Sequence, residues 1–114
     1  MPLASTPEPP YWAVIFTSLR TPADAAGYAQ TAGDMEALAA AQPGFLGMDG
    51  VRDASGVGIT VCYWSSEEAI AGWRRAAEHE AAQRAGRDRW YQAYELRIAR
   101  VERAYGFVRD PGAA

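Results

Sequence analysis

Two side chains on a predicted helix could carry acid–base and electrostatic chemistry. His79 is the only histidine in the chain, and histidine is the side-chain type that titrates near neutral pH. If His79 faces a cavity, it could remove a phenolic proton and so ease electron release to dioxygen. Arg74, or Arg75 beside it, could then hold a phenolate or a superoxide-like anion. The alternatives are a surface or structural histidine and solvated helical arginines.

Four aromatic residues could shape a pocket beside these groups. Trp64 and Trp73 lie nine residues apart, at a strand end and on the following helix, and could line a flat pocket for an aromatic ligand. Tyr63 and Tyr91 could donate hydrogen bonds to a carbonyl group of that ligand. The alternatives are core packing at the sheet–helix junction for the tryptophans, and core or dimer-seam positions for the tyrosines.

Composition excludes several other classes of function. A net charge of −3 argues against a nucleic-acid partner or an anionic membrane surface, which both attract basic proteins. One histidine among scattered acids does not predict a metal site, and a chain without lysine has no Schiff-base nucleophile. Cys62 is the only cysteine, so no internal disulfide forms, and we expect a buried, unreactive thiol. Since residues 1–10 lack the features of a signal peptide, we expect a cytoplasmic protein.

Hydrophobic patterning predicts four strands and two helices between an N-terminal arm and a C-terminal tail. Residues 1–10 contain four prolines and predict a disordered or extended arm, residues 11–108 a single domain, and residues 109–114 a flexible tail. The predicted elements are a strand at 11–18, a helix capped by Asp24 and ended by Pro43-Gly44, strands at 45–52 and 57–64, a helix at about 67–85, and a strand at 90–103.

The two predicted helices each present an apolar stripe. On the first helix, the stripe comprises Tyr28, Ala32, Met35, Leu38 and Ala39. On the second, Ile70, Trp73 and Ala77 share a face. In an unbroken helix, His79 would lie about 120° from that face. The histidine therefore reaches the buried side only if the helix kinks or if it lies at the edge of the stripe.

The element order predicts a ferredoxin-like α+β fold. A β-α-β-β-α-β chain forms an antiparallel sheet with both helices on one face. The first strand is apolar on both faces, with Trp12, Val14 and Phe16 on one and Tyr11 and Ile15 on the other. Because a large apolar face is unusual on a soluble monomer, the sequence predicts that a second copy covers the helix-free side.

Several segments in order resemble the antibiotic biosynthesis monooxygenase family, and specifically its short stand-alone bacterial members. They are 11–16, 42–47 with its Pro-Gly-Phe turn, Tyr63-Trp64 with 68–70 and Trp73-Arg74, 79–83, and Trp90-Tyr91 with 101–107. The resemblance implies a dimeric α/β barrel with a cavity between sheet and helices in each subunit. It also implies oxidation of phenols or quinols by dioxygen without metal or flavin, and hence no cofactor.

The haem-degrading branch of this family resembles the chain at one position. Trp73 matches that branch's tryptophan on the second helix. The residue ten positions further on is Gln83 rather than an iron-ligating histidine, and the first strand has no asparagine.

The functional hypothesis is a cofactor-independent monooxygenase acting on an aromatic or quinol-like molecule. The alternatives are a non-catalytic dimeric ligand-binding or accessory protein and, less favoured, a haem-binding or haem-degrading protein.

Overall fold

The computed structural model describes residues 3–84 and 90–109, with side chains given for all of these except 80–84. Four strands and two helices follow in the order β1 (Tyr11–Arg20), α1 (Ala25–Ala40), β2 (Phe45–Arg52), β3 (Val57–Trp64), α2 (Glu67–Arg84) and β4 (Tyr91–Val101). The predicted order is therefore confirmed. All but one residue of the predicted tail at 109–114 lies outside the described residues.

The four strands form one antiparallel sheet in the order β2-β3-β1-β4. The central strand β1 pairs with both β3 and β4, so that Val14 lies opposite Cys62 on one side and opposite Ile98 on the other. This order is the ferredoxin-like arrangement that the element order predicts. Neither helix in the described part of the chain has the length and apolar character that a membrane crossing requires.

Strand alternation separates two faces of the sheet, because successive side chains point to opposite sides. The face covered by the helices, here called the inner face, carries Val14 of β1 and Cys62 and Trp64 of β3. They pack with Ala39 of α1 and Ile70 of α2 into one buried cluster. The outer face carries the odd-numbered residues of β1 and β3.

Two turns position the helices against the inner face. Asp24 adopts a left-handed conformation with φ 50°, caps α1 by accepting a hydrogen bond from the Gly27 amide at 3.2 Å, and accepts another from Trp90 Nε1 at 3.2 Å. Gly44, between α1 and β2, has φ +86°, which favours glycine. Its carbonyl accepts a hydrogen bond from the Ser65 amide at 2.8 Å, so this turn holds the start of β2 beside the start of α2.

The chain before β1 lies against part of the outer face. The Ala4 amide donates to Asp49 Oδ1 at 2.7 Å, and the Thr6 hydroxyl donates to the Tyr11 hydroxyl at 3.0 Å. Asp49 Oδ2 also accepts from the Tyr63 hydroxyl at 2.9 Å. The arm therefore covers the end of the outer face where Tyr11 is buried. Further along, exposed apolar side chains remain: Val51, Val57 and Ile59.

Candidate functional site

A cavity of about 650 Å³ lies between the inner face of the sheet and the two helices. Its lining is mainly apolar, with a few oxygen and nitrogen groups, as is typical of small-molecule sites. The sheet contributes Val14, Phe16, Met48, Thr60, Cys62, Tyr91, Tyr94, Leu96 and Ile98. Helix α1 contributes Tyr28, Thr31, Ala32, Met35, Glu36 and Ala39, α2 contributes Ile70, Trp73, Arg74, Ala77 and Glu78, and Trp90 completes the described lining.

Trp73 lines the cavity, whereas Trp64 lies behind it. The two indole rings are 5.8 Å apart between centroids and tilted by 37°. Trp64 is completely buried and packs edge-on against Phe45 at 5.4 Å. The Nε1 atoms of both tryptophans are buried without a hydrogen-bond partner among the described residues. Of the two predicted pocket tryptophans, Trp73 is thus the one whose ring forms part of the cavity wall.

Helix α2 places Arg74 and His79 differently. Arg74 lies on the cavity wall, where its Nη2 is 3.6 Å from Glu78 Oε1 in an ion pair whose side chains are both mostly exposed. The helix runs unbroken from Glu67 to Arg84, so a rotation of about 100° per residue places His79 away from the stripe of Ile70, Trp73 and Ala77. His79 is exposed and is not part of the lining formed by the described residues.

Tyr63 and Tyr91 lie on opposite sides of the sheet. Tyr91 lines the cavity. Tyr63 is on the outer face, where its ring meets Tyr11 edge-on at 5.9 Å. Partial burial and then the hydrogen bond to Asp49 raise the pKa of Tyr63 to about 12, so it remains a neutral donor to that carboxylate. Trp73, Arg74 and Tyr91 therefore belong to the described cavity lining, whereas Trp64, Tyr63 and His79 do not.

One end of the cavity contains a cluster that the sequence prediction missed. The Tyr28 ring packs edge-on against Tyr91 at 5.9 Å, and the Tyr28 hydroxyl accepts a hydrogen bond from Arg52 Nη2 at 3.1 Å. Arg52 Nη2 also donates to the buried Ser18 hydroxyl at 2.7 Å, and the Arg20 guanidinium stacks 3.7 Å above the Tyr28 ring. In the sequence, only the position of Tyr28 on the apolar stripe of α1 indicates that this tyrosine faces the sheet.

The cavity lining also includes the Cys62 thiol. Burial, with a smaller effect of Glu36, raises the pKa of this thiol to about 11. The thiol therefore remains protonated at neutral pH and is a poor nucleophile. Among the residues that the structure describes, no group of three or more histidine, cysteine and acidic side chains could hold a metal ion. Gln83, at the position of the haem branch's iron ligand, lies outside the described side chains.

Fold and cavity together define a ferredoxin-like α+β protein with a cavity of small-molecule size between its helices and its sheet. The sequence profile of the family described as antibiotic biosynthesis monooxygenase matches residues 13–85. An uncharacterized protein of Bacillus subtilis, YqjZ, is 54% identical over 101 residues, which cover 89% of this chain and 88% of that protein. The chain therefore belongs to the antibiotic biosynthesis monooxygenase family.

Solved structures with low sequence identity share the fold. The crystal structure of PA3566 from Pseudomonas aeruginosa matches with a TM-score of 0.65 at 19% identity, over 87% of this chain and 99% of that one. SnoaB from Streptomyces nogalater, described as a cofactor-independent oxygenase, matches with a TM-score of 0.61 at 15% identity, over 93% of this chain and 100% of that one.

Proposed function

We propose that the protein binds a flat aromatic phenol or quinol in the cavity and oxidises it with dioxygen, without a cofactor. The observation that carries this proposal is the cavity of about 650 Å³ with aromatic walls and a few polar groups. Membership of the monooxygenase family supports the reaction class, and SnoaB is a relative in fold described as a cofactor-independent oxygenase.

The reaction balances without an external reductant. A phenol loses its proton and gives an electron to dioxygen, and one oxygen atom then forms a new carbon–oxygen bond to the ring. Loss of the second oxygen atom as water leaves a quinone, so one phenol and one dioxygen yield one quinone and one water. The protein's task is to hold the flat ring away from bulk water and to favour the phenolate.

Trp73 and Arg74 are the predicted residues best placed for these tasks. The Trp73 ring offers a flat apolar surface within the cavity wall. The Arg74 guanidinium, although it is paired with Glu78, carries a positive charge at the same wall that favours a phenolate. His79, the predicted base, is exposed on α2. We therefore propose that Arg74 stabilises the phenolate anion, and we expect solvent to accept the phenolic proton.

Oxygen uptake with a naphthol as substrate tests this proposal. The wild-type protein is expected to consume one dioxygen per naphthoquinone formed and to place one atom of isotope-labelled dioxygen in the product. Arg74→Gln should lower the rate by about tenfold or more, since removing a group that stabilises an anion commonly costs this much. His79→Ala serves as the matched comparison on the same helix and should retain the rate.

Absence of uptake above the uncatalysed rate across a panel of naphthols and hydroquinones would contradict the catalytic proposal. A large loss of rate in His79→Ala, with ligand binding retained, would instead indicate that His79 is the catalytic base.

The exposed position of His79 favours a second candidate, a non-catalytic protein that binds an aromatic molecule or assists a partner enzyme. This candidate predicts saturable binding of the same naphthols without oxygen uptake. Calorimetric titration in the absence of oxygen, followed by uptake measurements on the same sample, separates the two candidates.

Pairing of two copies through the outer face is a further part of the proposal. Val51, Val57 and Ile59 are 74%, 43% and 45% exposed on this face, and a continuous apolar face of this kind favours association. We expect sedimentation at micromolar concentration to give a dimer, and Ile59→Arg to give a folded monomer because it places a charge in the contact. A stable wild-type single subunit would contradict this expectation.

A further inference from the structure

Two phenol groups meet at one end of the cavity. Tyr28 reaches it from α1 and Tyr91 from the first residue of β4, and both line the cavity. Their rings pack at 82° with 5.9 Å between centroids. Because the two hydroxyls come from different elements, their convergence depends on the fold and not on the sequence spacing.

The hydrogen bonds among the described residues leave one of the two hydroxyl protons for a ligand. Burial, then the proximity of Tyr28 and a hydrogen bond with it, raise the pKa of Tyr91 above its ordinary value of 10.0, against a smaller opposing effect of Arg52 and Arg20. The Tyr91 phenol therefore remains a neutral hydrogen-bond donor. The pair has two O–H protons, and the hydrogen bond between them uses one. The Tyr28 oxygen accepts from Arg52, and this contact uses a lone pair and no hydroxyl proton.

The guanidinium groups of two arginines lie next to the phenol pair. Arg52 is held by the Ser18 hydroxyl at 2.7 Å and by the Gly56 carbonyl at 2.5 Å, and Arg20 stacks over the Tyr28 ring at 3.7 Å. Neither arginine belongs to the cavity lining formed by the described residues. Their charges therefore polarise the hydroxyl donors instead of contacting a ligand, and they make this end of the cavity unfavourable for a cationic group.

We propose that Tyr28 and Tyr91 form the specificity-determining end of the cavity and donate a hydrogen bond to a carbonyl oxygen of the bound aromatic molecule, distinct from the phenolate that Arg74 stabilises. This inference rests on the proposed binding of an aromatic ligand in the same cavity. It sets the orientation of the ligand, with its carbonyl oxygen against the phenol pair and its ring between β1 and the helices. It also separates ligands by their oxygen substituent, which apolar walls alone do not do.

A matched pair of probes tests this orientation without any reaction. Fluorenone carries a carbonyl where fluorene carries a methylene, and both are flat three-ring molecules. In calorimetric titrations, Tyr28→Phe and Tyr91→Phe should each weaken fluorenone binding by about five- to tenfold, as expected for loss of one hydrogen bond. Fluorene affinity should change by less than about twofold, because both variants keep the aromatic ring. Tyr11→Phe removes a buried hydroxyl from the outer face and should change neither affinity.

The infrared carbonyl band of bound fluorenone gives an independent readout. We expect the band at lower frequency in the wild-type complex than in an apolar solvent, and a shift back in Tyr28→Phe or Tyr91→Phe, which a general loss of packing would not produce. If both probes bind and the variants weaken them equally, with no shift of the band, the phenol pair does not recognise the oxygen, although the cavity still binds aromatic molecules. If neither probe binds the wild type, the proposed aromatic binding itself fails, and this inference fails with it.

Discussion

Replacing Ala32 with tryptophan is expected to weaken fluorenone binding by about tenfold to a hundredfold while the protein stays folded. Ala32 is half-buried on α1 and lines the cavity. An indole at this position would extend into the cavity of about 650 Å³, and the probe would have to share the remaining space with it. Overpacking of this kind costs about 1–3 kcal/mol, and each 1.4 kcal/mol corresponds to about tenfold in affinity.

Calorimetric titration of Ala32→Trp beside Ala29→Trp checks this expectation. Ala29 lies on the same helix but is exposed and is not part of the described cavity lining, so the same substitution there controls for the effect of tryptophan on α1. Far-ultraviolet circular dichroism should give the same helix content for both variants. Equal affinities for the two would show that aromatic molecules bind somewhere other than the cavity.

Gly44→Ala is expected to lower the free energy of unfolding by about 2–4 kcal/mol. Gly44 has φ +86°, and a Cβ atom built there would lie 2.6 Å from the Ala69 Cβ atom and 2.7 Å from the Ser65 hydroxyl oxygen. A side chain at such a φ costs about 1–3 kcal/mol, and the contact with Ala69 adds a cost of overpacking. The turn between α1 and β2, which holds the start of β2 beside the start of α2, would have to move to accept the methyl group.

Urea unfolding of Gly44→Ala and Gly33→Ala measures this effect against a matched control. Gly33 lies in the middle of α1, and a Cβ atom there meets nothing within 4 Å. Because alanine is the better helix former, Gly33→Ala should raise the free energy of unfolding by about 0.5–1 kcal/mol. Unfolding midpoints that change in the same direction for both variants would contradict the strained turn at Gly44.

Local signals in the sequence are enough to predict the fold. The Pro43-Gly44 pair, the Asp53–Gly56 turn and the Ser-Ser-Glu-Glu segment each separate one element from the next, and the bounds of β2 and β3 agree with prediction. β1 extends to Arg20, two residues beyond the predicted end, because Leu19 still pairs with β3 and β4 and Arg20 pairs with Tyr91 of β4. Such pairing depends on the neighbouring strands of the sheet and is not indicated by the local sequence.

The candidate site was only partly predictable, and one part of the prediction conflicted with strand geometry. Tyr63 and Trp64 are neighbours on β3, so their side chains point to opposite faces and cannot both line one pocket. The apolar stripe of α1 was correctly located, but periodicity does not distinguish a stripe that fills a core from one that lines a cavity. The Tyr28–Tyr91 pair joins residues far apart in sequence, and only the packing of α1 against β4 brings them together.

Strand β1 contributes Val14 and Phe16 to the cavity, and Tyr11 and Ala13 to the opposite side. During evolution, point substitutions can therefore alter the cavity lining and the outer face separately, at alternate positions of the same strand. Insertion or deletion of one residue within β1 would exchange the two sets of side chains and disrupt both surfaces together. Among homologues, we therefore expect β1 to vary in residue identity but to keep a constant length.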